Sequence, residues 1–387
     1  MKKTEIIIIG GGVVGASVAY HLTMRGAKDI LILERESEQG NGSTGKATGG
    51  IRAQFETDIN IKMSLYSIDY FKQFDDLTGV ECGYEPRGYL FFATDEAQFE
   101  YLKRNVEKQK ALGVKDIETV DAKIISEIVR GLNCEDITGG SFGANDGFIN
   151  PLGVLEGFTK KAEEAGAKIL RETKVLAIET KYGKVTAVET NRGPIECEKI
   201  VLCAGAWARE LAQTAKIDLP IEPLKRQIVW AKSRENFQEN LPMVIDLGSG
   251  FHFRPAKDST KEVLFAYPDA NESSSFDTNF DESFIKKVYE KAKKRAPFLA
   301  ETEVVREKCR AGLYENTPDH HAILGGCEIE NLYLANGFSG HGVMHSPATG
   351  RALAEIMLDG KANFLDVSCL SLDRFAKNEL LHETAFI

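Results

Sequence analysis

The sequence predicts an α/β protein, α+β taken over all 387 residues, and three observations carry that prediction. A short apolar run, Glu5 to Ile9, leads straight into a cluster of glycines. A second glycine-rich strand–loop–helix pattern returns near the carboxyl end, from Leu332 onward. Between them, two-residue and 3.6-residue periodicities succeed one another, as they do where strands and helices share layers.

Glu5 to Ile9 reads as a strand buried on both faces, and Gly10, Gly11, Gly12, Val13, Val14 and Gly15 satisfy G-x-G-x-x-G. A helical stretch to Arg25, then Gly26, a second apolar run Ile30 to Leu33, and Glu34 complete a βαβ unit. In such a unit the first glycine allows the tight turn and the second lets the backbone approach a pyrophosphate. The third permits close helix–strand contact. The helix amino end offers unpaired N–H groups and a partial positive charge to the phosphates. Glu34, about 20 residues further on, is placed to accept hydrogen bonds from ribose hydroxyls. Its charge disfavours a 2′-phosphate, a preference that Arg35 beside it weakens. The pattern alone leaves FAD and NAD(P) both open.

Gly40 to Gly50 is a glycine, serine and threonine loop ending in Ile51-Arg52. Residues 58–77 predict an amphipathic helix, with Ile61, Leu65, Ile68, Phe71 and Phe74 at spacings of three and four. Tyr89 to Phe92 predicts a strand, 96–111 a charged helix, and Gly139 to Gly147 a turn-rich end to that region. Pro151 to Ala165 reads as helix. Lys168 to Leu170, Lys174 to Glu179, Val185 to Thr190 and Ile195 to Cys197 read as strands, separated by turns such as Tyr182-Gly183 and Arg192-Gly193. Lys199 to Cys203 is a further buried strand, ending in Ala204-Gly205-Ala206-Trp207. Strand-like Gln227 to Ala231, Phe251 to Arg254 and Val263 to Ala266 precede a solvated helix near 281–295. Leu332 to Ala335 then enters Asn336-Gly337-Phe338-Ser339-Gly340-His341-Gly342 and a helix from about Pro347 to Leu358. Pro347 stands near that helix start, where its missing N–H does no harm. A nicotinamide enzyme rarely needs its carboxyl-terminal part to return to the dinucleotide this way. A larger cofactor, held from several parts of the chain, fits better.

The length exceeds what one hydrophobic core usually supports, so two lobes are expected. A formal charge of −10 with no basic stripe argues against nucleic acid and against an anionic membrane surface as partners. No apolar run is long enough to span a membrane. Ile6 to Ile9 is too short for a signal peptide, so the apolar opening is expected to be fold. Seven cysteines without a C-x-x-C pair fit a reducing cytoplasm better than a disulfide scaffold. His341-x-x-x-His345 has metal-site spacing, but it lacks the glutamate of a zincin, and Gly340, Gly342 and Pro347 argue against a regular helix there. No metal is expected; these histidines read as loop or cofactor contacts.

Four segments together resemble the FAD-dependent amine oxidoreductases of the D-amino acid oxidase superfamily. They are the amino-terminal fingerprint, Gly42-Ser43-Thr44-Gly45-Lys46-Ala47-Thr48-Gly49-Gly50-Ile51-Arg52, Gly312-Leu313-Tyr314-Glu315-Asn316-Thr317-Pro318-Asp319, and Gly337 to Pro347. Within that superfamily the sequence is most like sarcosine oxidases (including beta subunits), the beta subunit of dye-linked proline dehydrogenases, and dimethylglycine dehydrogenase. The resemblance implies a Rossmann-like FAD-binding domain, discontinuous over 1–85, 145–220 and 310–387. Residues 86–144 and 221–309 would form a second, mixed or antiparallel β-sheet domain that roofs the flavin and binds substrate.

The resemblance also implies roles residue by residue. Gly10, Gly12, Val13, Val14, Gly15, Glu34 and Arg35 fall to the adenosine and pyrophosphate. Ser43, Thr44, Thr48, Gly49 and Gly50 fall to the pyrophosphate and ring, and the backbone of Val175 to adenine. Ala204, Gly205 and Trp207 form a turn against the cofactor, and Gly312 lies beside the ring. Gly340, His341 and Gly342, continued by Val343 and Met344, form a loop over the pyrimidine side. There, N–H groups and a helix amino end stabilise the charge of reduced flavin. Arg52 matches the arginine that holds the substrate carboxylate, a role suited to a planar two-pronged donor. Tyr314 matches a pocket position, and His252 and Arg254 fall on the strand that roofs the ring.

Three positions depart from monomeric sarcosine oxidases. Gly312 stands where they carry the cysteine for covalent FAD, and Cys309 is a poor substitute, so FAD is expected to be non-covalent. Met344 stands where they hold the carboxylate with lysine, which weakens the case for sarcosine itself. His252 aligns with their oxygen-activating lysine, which leaves oxygen, a dye, a quinone or a partner subunit of a hetero- or homo-oligomer as the electron acceptor. The implied reaction is oxidation of the C–N bond of a small amino acid, secondary or N-methylated, of the sarcosine, proline or dimethylglycine type. Hydride passes to flavin N5 and the imine hydrolyses. Alternatives are an oxidase of glycine or a D-amino acid, a 2-hydroxy acid or glycerol phosphate dehydrogenase, and an electron-relaying FAD subunit.

Overall fold

Lys2–Ile9 is the middle of an eight-stranded sheet, pairing in parallel with Ile195–Leu202 on one side and Ile30–Leu33 on the other. The computed structural model describes residues 2–257 and 259–383. Beyond Ile30–Leu33 comes Lys168–Leu170; beyond Ile195–Leu202 come Leu332–Asn336 and Ile323–Gly326. The meander Val175–Lys181 and Lys184–Thr190 joins through Ile195–Leu202. The continuous apolar run has a simple cause: both faces of the sheet are covered. Ile6 and Ile8 pack among residues of the helices Val13–Met24, Pro151–Glu164 and Gly342–Asp359. Ile7 and Ile9 pack with Ala208 and Ala212 of the helix Ala208–Thr214 and with the meander.

The second sheet has nine strands, in the order Glu303–Val304, Glu222–Lys232, Glu262–Ala266, His252–Pro255, Met243–Asp246, Tyr89–Ala93, Gly139–Gly143 and Ile117–Val120, with Arg310–Asn316 on Glu222–Lys232. It is mixed, because Met243–Asp246 and Tyr89–Ala93 run parallel while their neighbours are antiparallel. Its outer face packs on Phe284, Val288 and Ala292 of the helix Ser283–Arg295. The fold is thus the expected α/β class with a second, mixed sheet.

Several local expectations need correction. Gly139–Gly143 is a strand between Tyr89–Ala93 and Ile117–Val120, not a turn-rich end. Its glycines answer crowding: a Cβ at Gly140 would meet the Phe91 carbonyl oxygen at 2.5 Å, and one at Gly139 would overlap the Phe99 ring. Residues 195–203, read as two strands, hold one strand, Ile195–Leu202, because it bridges the meander and the parallel strands. The amphipathic stretch 58–77 breaks into Asp58–Phe71 and Phe74–Thr78.

The last long helix begins at Gly342, so Pro347 lies inside it and His341 and His345 sit one turn apart at its start. Proline removes the N–H that would bond the Val343 carbonyl. Ser346 Oγ donates to that oxygen instead, at 2.9 Å. This helix lies on Val13–Met24, where Ser17 Oγ donates to the Ser346 carbonyl at 2.7 Å and a Cβ at Gly350 would overlap Ser17 Oγ. Among the described residues, no helix is long and apolar enough to cross a membrane.

Candidate active site

A cavity of about 710 Å³ separates the strand ends of the first sheet from the inner face of the second. Its size is that of a cofactor or ligand site. One end is walled by the amino-terminal glycines, the other by Arg52, Tyr314 and the Gly337–Gly342 turn.

At the glycine end, Gly10 sits at φ +107°, and a Cβ there would overlap the Cys203 carbonyl oxygen. Gly15 lies beneath the cavity rather than on it, pressed against the Gly10 carbonyl where a Cβ has no room. Gly12 is different. A Cβ there would meet only Thr44 Oγ1, at 3.4 Å, an ordinary contact. Protein packing does not require glycine at this helix N-cap, whereas a phosphate against the backbone does.

Thr44 Oγ1 accepts from the Val13 N–H at 3.2 Å, tying the second loop to the first. Glu34 is aimed by two backbone donors, Gly11 N–H at 3.0 Å and Glu36 N–H at 2.9 Å. The Arg35 guanidinium lies 3.5 Å over the Trp207 ring and pairs with Glu36 at 2.9 Å. Val14, Val175, Ala204 and Gly205 line the same cavity. A dinucleotide's adenosine and pyrophosphate fit this donor set.

Towards the other end, the loop Lys46–Thr48 is pinned from the second sheet. Arg310 Nε and Nη2 donate to the Lys46 and Ala47 carbonyls at 3.2 and 3.1 Å, and Arg254 donates to the Thr48 carbonyl. Arg254 therefore corrects the sequence reading, since it does not line the large cavity. It shares a strand face with His252 but stands two residues, or about 7 Å, further along. Its guanidinium is committed to Thr48 and, at 2.9 Å, to the Pro255 carbonyl. Thr48, Gly49, Gly50, Gly312 and Ser43 line the cavity; Ser43 Oγ donates to the Leu313 carbonyl at 2.7 Å. Cys309 Sγ accepts from the Trp230 N–H at 3.4 Å and is not among the cavity residues.

Arg52 lines the arginine end at only 3% exposure. Its guanidinium lies 3.9 Å over the Phe55 ring, donates to the Gln54 carbonyl, and comes within 3.4 Å of His341 Nε2. The backbone behind it is clamped by Asp146, which accepts from Ala53 N–H at 2.7 Å and Gln54 Nε2 at 2.9 Å. Burial raises the Asp146 carboxyl to about 6. Gly340 sits at φ +95° under the Tyr314 ring, which a Cβ would meet at 2.5 Å. His341, Gly342, Val343 and Met344 follow on the cavity wall.

The histidines here are neutral. Burial lowers His252 to about 4, His345 to about 3 and His341 well below its ordinary value. His345 does not line the cavity; its Nε2 is 2.9 Å from Ser64 Oγ. Among the lining residues that the sequence reading missed are Tyr89, Met243, Ile245, Arg226 and Glu315. Glu315 directly follows Tyr314 in the most distinctive motif. Arg226 sits two residues from Leu224 and Ile228 on one strand, an alternation that was readable.

Comparison with known proteins agrees with this geometry. The family model for FAD dependent oxidoreductase, DAO, matches residues 5–356. The chain is 31% identical over 426 residues to the FAD-dependent oxidoreductase domain-containing protein 1 homolog of Drosophila melanogaster, covering 98% of this chain and 80% of that protein. It is 26% identical to human mitochondrial dimethylglycine dehydrogenase, covering 97% of this chain but 45% of that protein. The crystal structure of L-proline dehydrogenase from P. horikoshii superposes with a TM-score of 0.90 at 30% identity, covering 98% of this chain and 100% of the other. The chain belongs to the DAO family of FAD-dependent oxidoreductases, with FAD as its cofactor.

Proposed function

We propose that the enzyme oxidises the C–N bond of a small amino acid, secondary or N-methylated, and releases an imine that water hydrolyses. Arg52 carries this reading. It is a buried guanidinium on the cavity wall, held over the Phe55 ring and backed by the Asp146 clamp. A planar fork so held suits a carboxylate. Bound FAD supplies the two-electron oxidant.

The chain's own part is selection and positioning. Burial and the nearby positive charge of Arg52 disfavour an ammonium here, and neutral His252 and His341 offer it no counter-charge, which together favour the free amine. Tyr89, Met243 and Ile245 present an apolar wall that limits water. Burial also makes the neutral imidazoles of His252 and His341 weak bases, poorly suited to taking a proton from the substrate. The chemistry then rests on orientation and a preorganised field. The names of two similar proteins, L-proline dehydrogenase and dimethylglycine dehydrogenase, support a secondary or tertiary amine. The buried, unpaired thiols of Cys82, Cys197 and Cys203 support a reducing cytoplasm.

Anaerobic bleaching of the flavin against sarcosine, proline, dimethylglycine, glycine, D-alanine and 2-hydroxy acids tests the reading. It is blind to whether oxygen, a quinone or a partner subunit takes the electrons. Arg52→Ala is expected to raise the half-saturating concentration of carboxylate substrates by roughly 100-fold while FAD stays bound. Unchanged kinetics with every acid would remove Arg52 from the site.

A further inference from the structure

The substrate end of the cavity holds a second arginine. Arg226 stands opposite Gly312 in the antiparallel pairing of Glu222–Lys232 with Arg310–Asn316, and diagonal to Tyr314. All three therefore share the sheet face that lines the cavity. The guanidinium carbon is 5.5 Å from the Tyr314 ring centre. Its Nε is shielded from solvent and has no hydrogen-bond partner among the described residues. Nη1 reaches the Lys225 carbonyl at a long 3.3 Å.

The nearby acids are committed elsewhere. Glu272 and Asp277 pair with Lys225 at 3.5 and 2.8 Å, and Asp269 pairs with Lys287 at 2.9 Å. Of the acids on the cavity wall, Glu34 and Glu36 belong to the glycine end, Glu210 to the helix after Trp207, and Glu315 stands beside Gly205. Tyr314 lies in the positive field of both Arg226 and Arg52. A half-buried guanidinium whose nearby acids, Glu272 and Asp269, already pair with lysines is short of counter-charge, and an anion from the ligand would supply it.

We propose that Arg226 binds a second carboxylate, so that the preferred substrate is a secondary amino dicarboxylic acid spanning Arg52 and Arg226. This rests on the amino acid reading above and deepens it. One carboxylate sits on each guanidinium, and the amine lies between them beside Tyr314. Arg226 is then a specificity residue: it decides which amino acid enters, not how the C–N bond is oxidised.

Matched pairs test this on the holoenzyme. Iminodiacetate is set against sarcosine, and N-methylaspartate against N-methylalanine, each by anaerobic flavin reduction. The dicarboxylate of each pair is expected to show a kcat/KM roughly 10- to 100-fold higher, the worth of one charge-assisted hydrogen-bonded contact. Arg226→Gln is expected to bring that ratio to about one, and Arg226→Lys to restore part of it. Titration of the oxidised flavin spectrum with succinate and glutarate, against acetate and propionate, reads the same preference without turnover. That titration uses the unaltered protein, so it decides even if Arg226→Gln does not fold. Ratios near one in both series overturn the second carboxylate while leaving the amino acid reading standing. Failure of every amino acid, mono- or dicarboxylic, to bleach the flavin overturns both.

Discussion

The glycine end of the cavity is walled by backbone, whereas the arginine end is walled by side chains from both sheets. At the first, Gly10 and Gly15 are forced by neighbouring carbonyl oxygens, and the Gly11 and Val13 N–H groups hold Glu34 and Thr44 in place. At the second, Gly340 avoids the Tyr314 ring rather than main chain, and the side chains of Arg52, Arg226, Tyr314 and His252 line the wall. Backbone walls suit a ligand part that never varies. Side-chain walls can be retuned one residue at a time, which is how a common cofactor scaffold takes on different substrates.

The largest expected effect comes from breaking the backbone wall. Gly10→Ala combines a φ of +107° with overlap on the Cys203 carbonyl, so about 3 kcal/mol or more of stability should be lost. Flavin-to-protein absorbance and a thermal melt would register it; retention of stoichiometric FAD at an unchanged midpoint would show that this turn can shift. Gly12→Ala sharpens the contrast within the same loop. Apoprotein stability should move by no more than about 1 kcal/mol, because the added Cβ meets only Thr44 Oγ1 at 3.4 Å. FAD affinity, followed by quenching of free FAD fluorescence, should fall roughly 100-fold, as backbone–phosphate contacts are lost. An apoprotein as damaged as Gly10→Ala would erase the distinction.

The smallest effect belongs to the arginine end, where the histidines lie. Burial holds His345 at about 3, against 6.5 when exposed. Below pH 6.5 the unfolded chain takes up a proton at this residue that the native chain refuses until about pH 3. Stability is therefore lost as pH falls through that window. At pH 5.5 this one histidine accounts for about 1.4 kcal/mol. Thermal midpoints of wild type and His345→Asn, compared at pH 7.5 and 5.5, should converge at the lower pH. Parallel lines would mean that His345 keeps its proton when folded.

The glycine end was legible because its determinants are contiguous: strand, turn, helix, strand and Glu34 follow one another within one unit. The arginine end was legible only in part. Arg52, Tyr314 and the Gly337–Gly342 turn lie in distinctive strings, but Tyr89, Met243 and Ile245 reach the cavity through long-range strand pairing that no local pattern encodes. Gly139–Gly143 was misread for a related reason, since its glycines report crowding by Phe91 and Phe99, contributed from elsewhere in the chain. Arg254 was displaced by a distance of two residues, which periodicity cannot resolve when both positions share a face. At Pro347 the helix start was misplaced: the helix begins at Gly342, and the missing N–H does little harm because Ser346 Oγ takes over the bond.

The bond from Ser17 to Ser346 spans 329 residues and clasps the first helix to the last. During synthesis the fingerprint leaves the ribosome roughly 16 to 66 s before the segment that covers it, at ordinary elongation rates. Through that interval Ile6, Ile8 and Val18 lack a lid, so flavin capture falls among the closing events of biogenesis. A nascent chain arrested before residue 346 should engage chaperones and remain colourless.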